Sequence, residues 1–327
     1  MAVGRNKLEY EVIEGWEQLP EGWSFVEVAG VATDSDDNVY AFNRGDHPMI
    51  VFDSNGRFLN AWGEGVFTNA HGLCIGPGDI LYAADNFDHT VRIFERDGTL
   101  LETLGEKDQP SESGFVAGET PVQRGAGPFN MVTNVALSTT GELYISDGYG
   151  NARVHKFSAD WQWEFSWGEP GDGPGQFRLP HAIAVDRNNR IYVADRENSR
   201  IQVFSSDGKY VTEWNNVSRP DDLFIDSDDN LFVAELGERA GIDPSIEVLP
   251  HAPHARVTVL TLDGEIQTRF GGDDPVAPGN FFAPHGIWAD SKGDLYVSEV
   301  VYSAGGRRGL VPLDCHSLQK VIRIRAD

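Results

Sequence analysis

Apolar and polar residues alternate with a period of two over short runs, and the runs are punctuated by turn residues. The clearest stretch reads His181-Ala-Ile-Ala-Val-Asp186, a turn Arg187-Asn-Asn-Arg190, then Ile191-Tyr-Val-Ala-Asp195. Arg200-Ile-Gln-Val-Phe204 follows, then Asp207-Gly208, then Lys209-Tyr-Val-Thr-Glu-Trp214. Asp-Gly between two alternating runs is a strong hairpin signal. The stretch therefore predicts four short antiparallel strands.

The phrase recurs. Tyr82-Ala-Ala-Asp85, Tyr144-Ile-Ser-Asp147, Phe232-Val-Ala-Glu235 and Tyr296-Val-Ser-Glu299 match it, and Tyr40-Ala-Phe-Asn43 is a looser first copy. Aligned on this phrase, six units begin near residues 30, 71, 134, 181, 221 and 285. A spacing of about fifty residues is that of propeller blades. The predicted fold is all-β: a six-bladed β-propeller built from these repeats, forming one domain over residues 1–327. A right-handed parallel solenoid is the less economical arrangement, because the turns within each unit are hairpin turns. The N-terminal run Tyr10–Ile13 is expected to close the ring beside Val321–Ile324, leaving no exposed sheet edge there. Three segments break the repeat and read as loops: 105–130, 236–255 (with Pro244, Pro250, Pro253, His251 and His254) and 302–313 (with Gly305-Gly306-Arg307-Arg308).

The same alignment isolates one column at the start of each unit: Ala29, His71, Thr133, His181, Asp221, His285. Histidine occupies alternate units. In a closed ring that spacing sets three imidazoles evenly around one axis, on strands that line the channel. Three neutral imidazoles with an open position make a catalytic metal site. Zinc is the first expectation, and iron, manganese and cobalt also accept imidazole. A single histidine at a strand start is usually a hydrogen-bonded packing residue; three in one column are not so easily explained. Asp221 reads as a fourth ligand, a partner behind the ligands or a plain turn aspartate. His47, His89, His155 and His316 lack column support and read as surface or core residues.

A second column holds Asn43, Asp85, Asp147, Asp195, Glu235 and Glu299. Its near-constancy predicts a structural acceptor of hydrogen bonds from a neighbouring turn or blade. The residues just after it vary: Arg44, Asn86, Tyr149, Arg196-Glu197, Leu236 and Val300.

Composition narrows the function classes. The 327 residues are 40% hydrophobic and 11% aromatic, enough for a packed core. Acidic residues number 51 against 26 basic, a net charge of −25, which opposes nucleic-acid binding. Much of the acid lies in turns such as Asp34-Ser-Asp-Asp-Asn38. No apolar run is long enough to span a bilayer. The first residues lack an apolar signal core, so the expected location is the cytoplasm. Cys74 and Cys315 make no disulfide framework. Trp161-Gln-Trp163 reads as blade packing.

With these motifs assembled, the chain resembles NHL-repeat propellers, and most closely the peptidyl-α-hydroxyglycine α-amidating lyases. Asn43-Arg-Gly-Asp-His47, Asn69-Ala-His-Gly-Leu73, Ser146-Asp-Gly-Tyr-Gly-Asn151, Pro180-His181 with Val193-Ala-Asp-Arg-Glu-Asn198, and Pro284-His285 carry the resemblance, which covers nearly the whole propeller. It implies a catalytic zinc on His71, His181 and His285, an essential arginine at Arg44 and a tyrosine base at Tyr149. The implied reaction cleaves a carbinolamide into an amide and glyoxylate. Two positions depart from the pattern. Ala283 stands where the family has methionine. Gly286 stands where it has an aspartate that helps bind a structural calcium.

The expected function is a metal-dependent lyase acting on an α-hydroxylated amide or related carboxylate-bearing substrate, a small molecule or short peptide-like compound. Tyr149 would take the hydroxyl proton, Arg44 would clamp the carboxylate, and Arg196 would supply a second carboxylate contact. A metal-dependent hydrolase or lactonase, with Asp221 or Glu197 as base, is the alternative. A non-enzymatic binding module is the third. No obligate protein partner, nucleic acid or membrane is implied.

Overall fold

The computed structural model describes residues 2–5, 8–238 and 254–324. Six antiparallel sheets of four or five strands make up almost all of the regular structure. The fold is an all-β six-bladed β-propeller. The chain divides into two compact units, residues 1–62 with 224–327, and residues 63–223.

Residues 63–223 hold three complete sheets. These are Ala70–Gly76, Ile80–Asp85, Thr90–Phe94 and Leu100–Leu104; Val132–Leu137, Leu143–Asp147, Arg153–Phe157 and Trp163–Trp167; and Pro180–Val185, Ile191–Asp195, Arg200–Phe204 and Tyr210–Trp214. The inner strands are apolar on both faces because both are covered. Every residue of Ile191–Asp195 is buried. The fourth strands alternate less and stay half-exposed, as sheet edges do.

The other unit holds the sheet Val28–Thr33, Val39–Asn43, Met49–Phe52 and Phe58–Trp62, and a final five-stranded sheet. In the latter, Leu8–Ile13 pairs with Leu318–Ile324, placing Tyr10 opposite Arg323 and Val12 opposite Val321. Leu318–Ile324 pairs in turn with Leu295–Glu299, and that strand with Pro284–Ala289. A short strand, Ala2–Arg5, adds outside Leu8–Ile13. The remaining sheet contains Asn230–Glu235, Arg256–Thr261 and Ile266–Phe270, and begins with Pro220–Ile225, the strand in which the two units divide.

The acidic turns have a local cause. Asp34, Asp186, Asp226 and Asp290 each accept the backbone N–H four residues on, at 2.8–3.0 Å. A short carboxylate that closes its own turn is the chemistry that places aspartate there. Tyr40, Tyr192 and Tyr296 donate to the second oxygen of the same carboxylate in their own sheets.

The second column is structural, and its target is the chain entering the same sheet. Asp147 takes the N–H of Asn130, Asp195 those of Arg178 and Leu179, and Glu299 those of Phe282 and Ala283. Third-strand side chains close each carboxylate from behind: His155 at 3.1 Å from Asp147 and Arg200 at 2.9 Å from Asp195. His155 also meets Ser166 at 2.6 Å, making a Ser–His–Asp line. Gln202 and Gln319 occupy the same step beside Asp195 and Glu299, so the line is a repeat contact rather than a nucleophile site.

Several expectations change. The segment 302–313 is not a plain loop: a short helix, Val301–Ala304, and a 3-10 turn, Gly306–Arg308, run through it. Segment 105–130 contains only one isolated bridge, between Val116 and Thr120. Most of 236–255, including Pro244, Pro250, His251 and Pro253, lies outside the described residues. His254 is exposed and pairs with Asp273. Trp163 does not pack inside its blade; it is 54% exposed, because it sits on the edge strand. Both cysteines are buried, and neither is in a disulfide.

Candidate metal centre

Each histidine of the first column is held in the same way. His71 Nδ1 lies 2.7 Å from the carbonyl oxygen of Thr133. His181 Nδ1 lies 2.6 Å from that of Asp221, and His285 Nδ1 2.7 Å from that of Ala29. The acceptors are the alternate members of the column. A carbonyl only accepts, so Nδ1 carries the proton in all three rings and Nε2 keeps its lone pair. An outer-nitrogen bond to a backbone carbonyl is the usual way a protein fixes a ligating imidazole.

Glycine follows two of the three histidines, where close neighbours leave no room for a Cβ; Ala182 follows His181. A Cβ on Gly72 would lie 2.4 Å from the carbonyl oxygen of Thr133. A Cβ on Gly286 would lie 2.5 Å from Ser298 Oγ and 3.2 Å from the carbonyl oxygen of Ala29. Gly286 is thus set by packing, and it offers no carboxylate for calcium.

All three imidazoles are buried, and their candidate ligand atoms lie within 4.8 Å of one another. They form a cluster able to coordinate a metal ion. Uniform tautomers, burial and an all-imidazole donor set fit a borderline transition metal.

Within residues 63–223 a polar network surrounds two of the three histidines. The hydroxyl of Tyr149 is 2.9 Å from His181 Nε2 and 3.3 Å from His71 Nε2. Arg196 Nη1 donates to the same phenol oxygen at 3.3 Å and to Asp221 Oδ1 at 3.0 Å, and the guanidinium lies over the Tyr149 ring. Arg196 Nε donates to Glu197, which Arg219 holds from the other side. Burial pushes the Asp221 carboxyl up to about 6, against the pull of Arg196 and Arg219. Its Oδ1 lies 3.1 Å from His181 Nδ1. Asp221 therefore stands behind His181 and is not a fourth ligand on the Nε2 side. Burial would also raise Glu197, but Arg196 and Arg219 outweigh it and hold this carboxyl below the usual range. That makes Glu197 a weak proton acceptor.

In the other unit, Arg44 pairs with Glu27 at 2.9 Å, not with the neighbouring Asp46. Buried Glu27 also accepts the N–H of Ser303, tying Arg44 to the helical insertion. His47 stacks on Trp23 at 3.4 Å, and His155 is wholly buried.

Sequence reasoning missed three features: the carbonyls of Ala29, Thr133 and Asp221, the bridge from Tyr149 to two histidines, and Arg219. The carbonyls leave no trace in side-chain identity. The position of Tyr149 two residues past the second column, and of Arg196 one residue past it, was the only signal for their meeting.

The arrangement defines a class: a propeller with a buried three-histidine metal-binding cluster. The NHL repeat family matches residues 177–204. NHL repeat-containing protein 3 of Homo sapiens is 35% identical over 221 residues, 64% of this chain and 61% of that protein. The peptidyl-glycine alpha-amidating monooxygenase of Mus musculus is 33% identical over 226 residues, 59% of this chain and 22% of that protein. The chain thus spans less than two thirds of the first of these relatives and under a quarter of the second. Among solved structures, a streptogramin B lyase aligns with a TM-score of 0.58 and 15% identity, covering 98% of both chains. The gluconolactonase XC5397 of Xanthomonas campestris aligns at 0.61 and 12%, over 92% of this chain and 87% of its own. These structural likenesses show the fold alone. The chain is a six-bladed β-propeller with an NHL repeat, homologous to NHL-repeat proteins and to amidating-lyase propellers.

Proposed function

We propose that the protein is a metal-dependent lyase that cleaves an N-acyl-α-hydroxyglycine-type carbinolamide into a primary amide and glyoxylate. One observation carries the reading: a tyrosine hydroxyl lies against two candidate ligand nitrogens and is backed by an arginine. On this reading Tyr149 is a proton carrier beside a Lewis-acid site, which elimination from a hydroxylated carbon requires. The homology to amidating-lyase propellers supports the same chemistry.

His71, His181 and His285 would hold the ion, zinc first among the candidates, with iron, manganese or cobalt as substitutes. Such an ion supplies Lewis acidity toward a substrate oxygen. Tyr149 moves the hydroxyl proton at its phenol oxygen. Arg196 holds that oxygen and offers it positive charge. The C–O bond becomes C=O, the C–N bond breaks, and the proton ends on the leaving nitrogen, so no water is consumed. Arg44 takes the substrate carboxylate, exchanging part of its pairing with Glu27 for a bidentate contact. Arg196 is committed to Tyr149, Asp221 and Glu197, so its contact with substrate is secondary to positioning. The substrate is a small molecule or a short peptide-like acid bound by one propeller domain.

The test is incubation of zinc-loaded protein with N-benzoyl-α-hydroxyglycine, following benzamide and glyoxylate. Benzamide formation above the spontaneous rate, abolished in His181→Ala, is expected; a rate equal to buffer sinks the reading. A lactonase is the second reading, favoured by a buried carboxylate, Asp221, 3.1 Å from His181 Nδ1, that could act as its base. It requires turnover of a lactone with solvent oxygen entering the product carboxylate.

A further inference from the structure

Tyr149 bridges two histidines whose surroundings follow one plan with different residues. Beside His181, the loop 196–199 joins the strand partners Asp195 and Arg200. Beside His71, the loop 86–89 joins the strand partners Asp85 and Thr90. The loops are equal in length, so Asn86 answers to Arg196, Phe87 to Glu197 and His89 to Ser199. The chain entering the next sheet keeps the same step. Arg219 N–H donates to Ser199 Oγ at 3.2 Å, and Met131 N–H to His89 Nδ1 at 2.9 Å. Both residues have positive φ, 47° and 62°. Two residues further on, the carbonyls of Asp221 and Thr133 hold His181 and His71. Met131 therefore answers to Arg219, and Thr133 to Asp221. All of these residues lie within 63–223.

The chemistry at the four matched positions is opposite. Arg196, Glu197, Arg219 and Asp221 form one charged network. Asn86, Phe87, Met131 and Thr133 carry no charge. The two polar members are already used: Asn86 Oδ1 accepts from Asn69, and the Thr133 hydroxyl donates to Ser146. Phe87 and Met131 are left as the apolar pair. Phe87 stands at the end of its sheet where His71 begins, because Asp85 pairs with Ala70. The ring is 53% exposed on a fixed backbone, since the N–H groups of Phe87 and Asp88 both donate to Asp85. The charges beside it, Asp88 and Arg92, are buried and paired with each other at 2.6 Å.

We propose that Phe87, with Met131, receives the N-acyl group of the carbinolamide and makes the protein selective for aromatic or bulky apolar acyl groups. Covering the charged network with an apolar group strips hydration and returns nothing. Covering the exposed Phe87 ring removes two apolar surfaces from water. The net charge of −25 opposes acidic acyl groups as well. The inference rests on the lyase reading, which puts the reacting carbon at Tyr149.

The test is calorimetric titration of zinc-loaded protein with N-benzoylglycine, N-acetylglycine and N-succinylglycine, which lack the hydroxyl and are not cleaved. N-benzoylglycine is expected to bind about tenfold tighter than N-acetylglycine, and N-succinylglycine to bind weakest. Phe87→Ala should cut the benzoyl-to-acetyl ratio to about threefold or less, and Phe87→Leu should keep most of it. A purely structural role for Phe87 would weaken all three ligands alike and leave the ratio intact. Three results overturn the proposal: no binding of N-benzoylglycine, a benzoyl-to-acetyl ratio near one in the unaltered protein, or a ratio unchanged in Phe87→Ala. Failure of the lyase reading shows separately, as no benzamide from the hydroxylated compound.

Discussion

His181 and His285 are held alike and surrounded differently. Both rings donate Nδ1–H to a backbone carbonyl at nearly the same distance, 2.6 and 2.7 Å. Both begin the first strand of their sheet, behind a proline. Yet His181 has Tyr149 on its Nε2, Asp221 beside its Nδ1 and Arg196 behind both. Beside His285 stands Gly286, packed on Ser298 and on the strand that supplies the carbonyl. The repeat thus sets the three imidazoles, and non-repeated residues set what surrounds them. A scaffold of six similar sheets fixes three equivalent imidazoles through backbone atoms, which any sequence provides, and leaves side chains free to differ.

The largest effect tests the likeness. His181→Ala and His285→Ala should lose metal equally, each by more than the roughly 10–100-fold that losing a supporting partner costs. Elemental analysis after gel filtration reads this. Full metal in His285→Ala would break the equivalence. The next effect tests the difference. Tyr149→Phe should keep its metal while kcat on the carbinolamide falls by about 10²–10⁴, the usual share of a positioned proton carrier. A fall below tenfold would place the proton transfer elsewhere.

Asp221→Asn comes third. It should weaken metal affinity by about 10–100-fold through the loosened His181 ring, measured by competition with a chelator. Fourth are the two glycines. Gly72→Ala and Gly286→Ala should each destabilise by about 1–3 kcal/mol, read as a lowered Tm. At Gly286 the obstacle is the Ser298 hydroxyl, so adding Ser298→Ala should restore most of the loss. At Gly72 the obstacle is the Thr133 carbonyl itself, and no side-chain change should rescue it. The smallest effect is on pH. Glu197 is held below its ordinary pKa, so it favours the folded state above about pH 4.3 and loses that contribution as pH falls through its lower folded value. Glu197→Gln should flatten the acid limb of a Tm–pH profile; an unchanged limb would remove Glu197 from the network's balance.

The strands were legible because period-two alternation and Asp-Gly turns are local signals. The histidine column was legible for the same reason, since repeats turn distance along the chain into position. Arg44 shows the limit. Its neighbour in sequence is Asp46, but its partner is Glu27, seventeen residues back, because the strand pairing of Val28 with Asn43 sets those ends together. Trp163 shows another: alternation places a residue on a face, and only the sheet order shows that the face is at an edge.

Sequence by itself determined the number of sheets, the strands within them, and which three imidazoles share a position. These follow from side-chain identity and spacing, which the chain carries openly. Tertiary structure alone decided the tautomer of those imidazoles, the meeting of Tyr149 with two of them, and the need for glycine beside two of them. Those depend on backbone carbonyls brought within hydrogen-bonding distance by strand packing, and every residue has the same carbonyl, so no letter in the sequence marks which one is used.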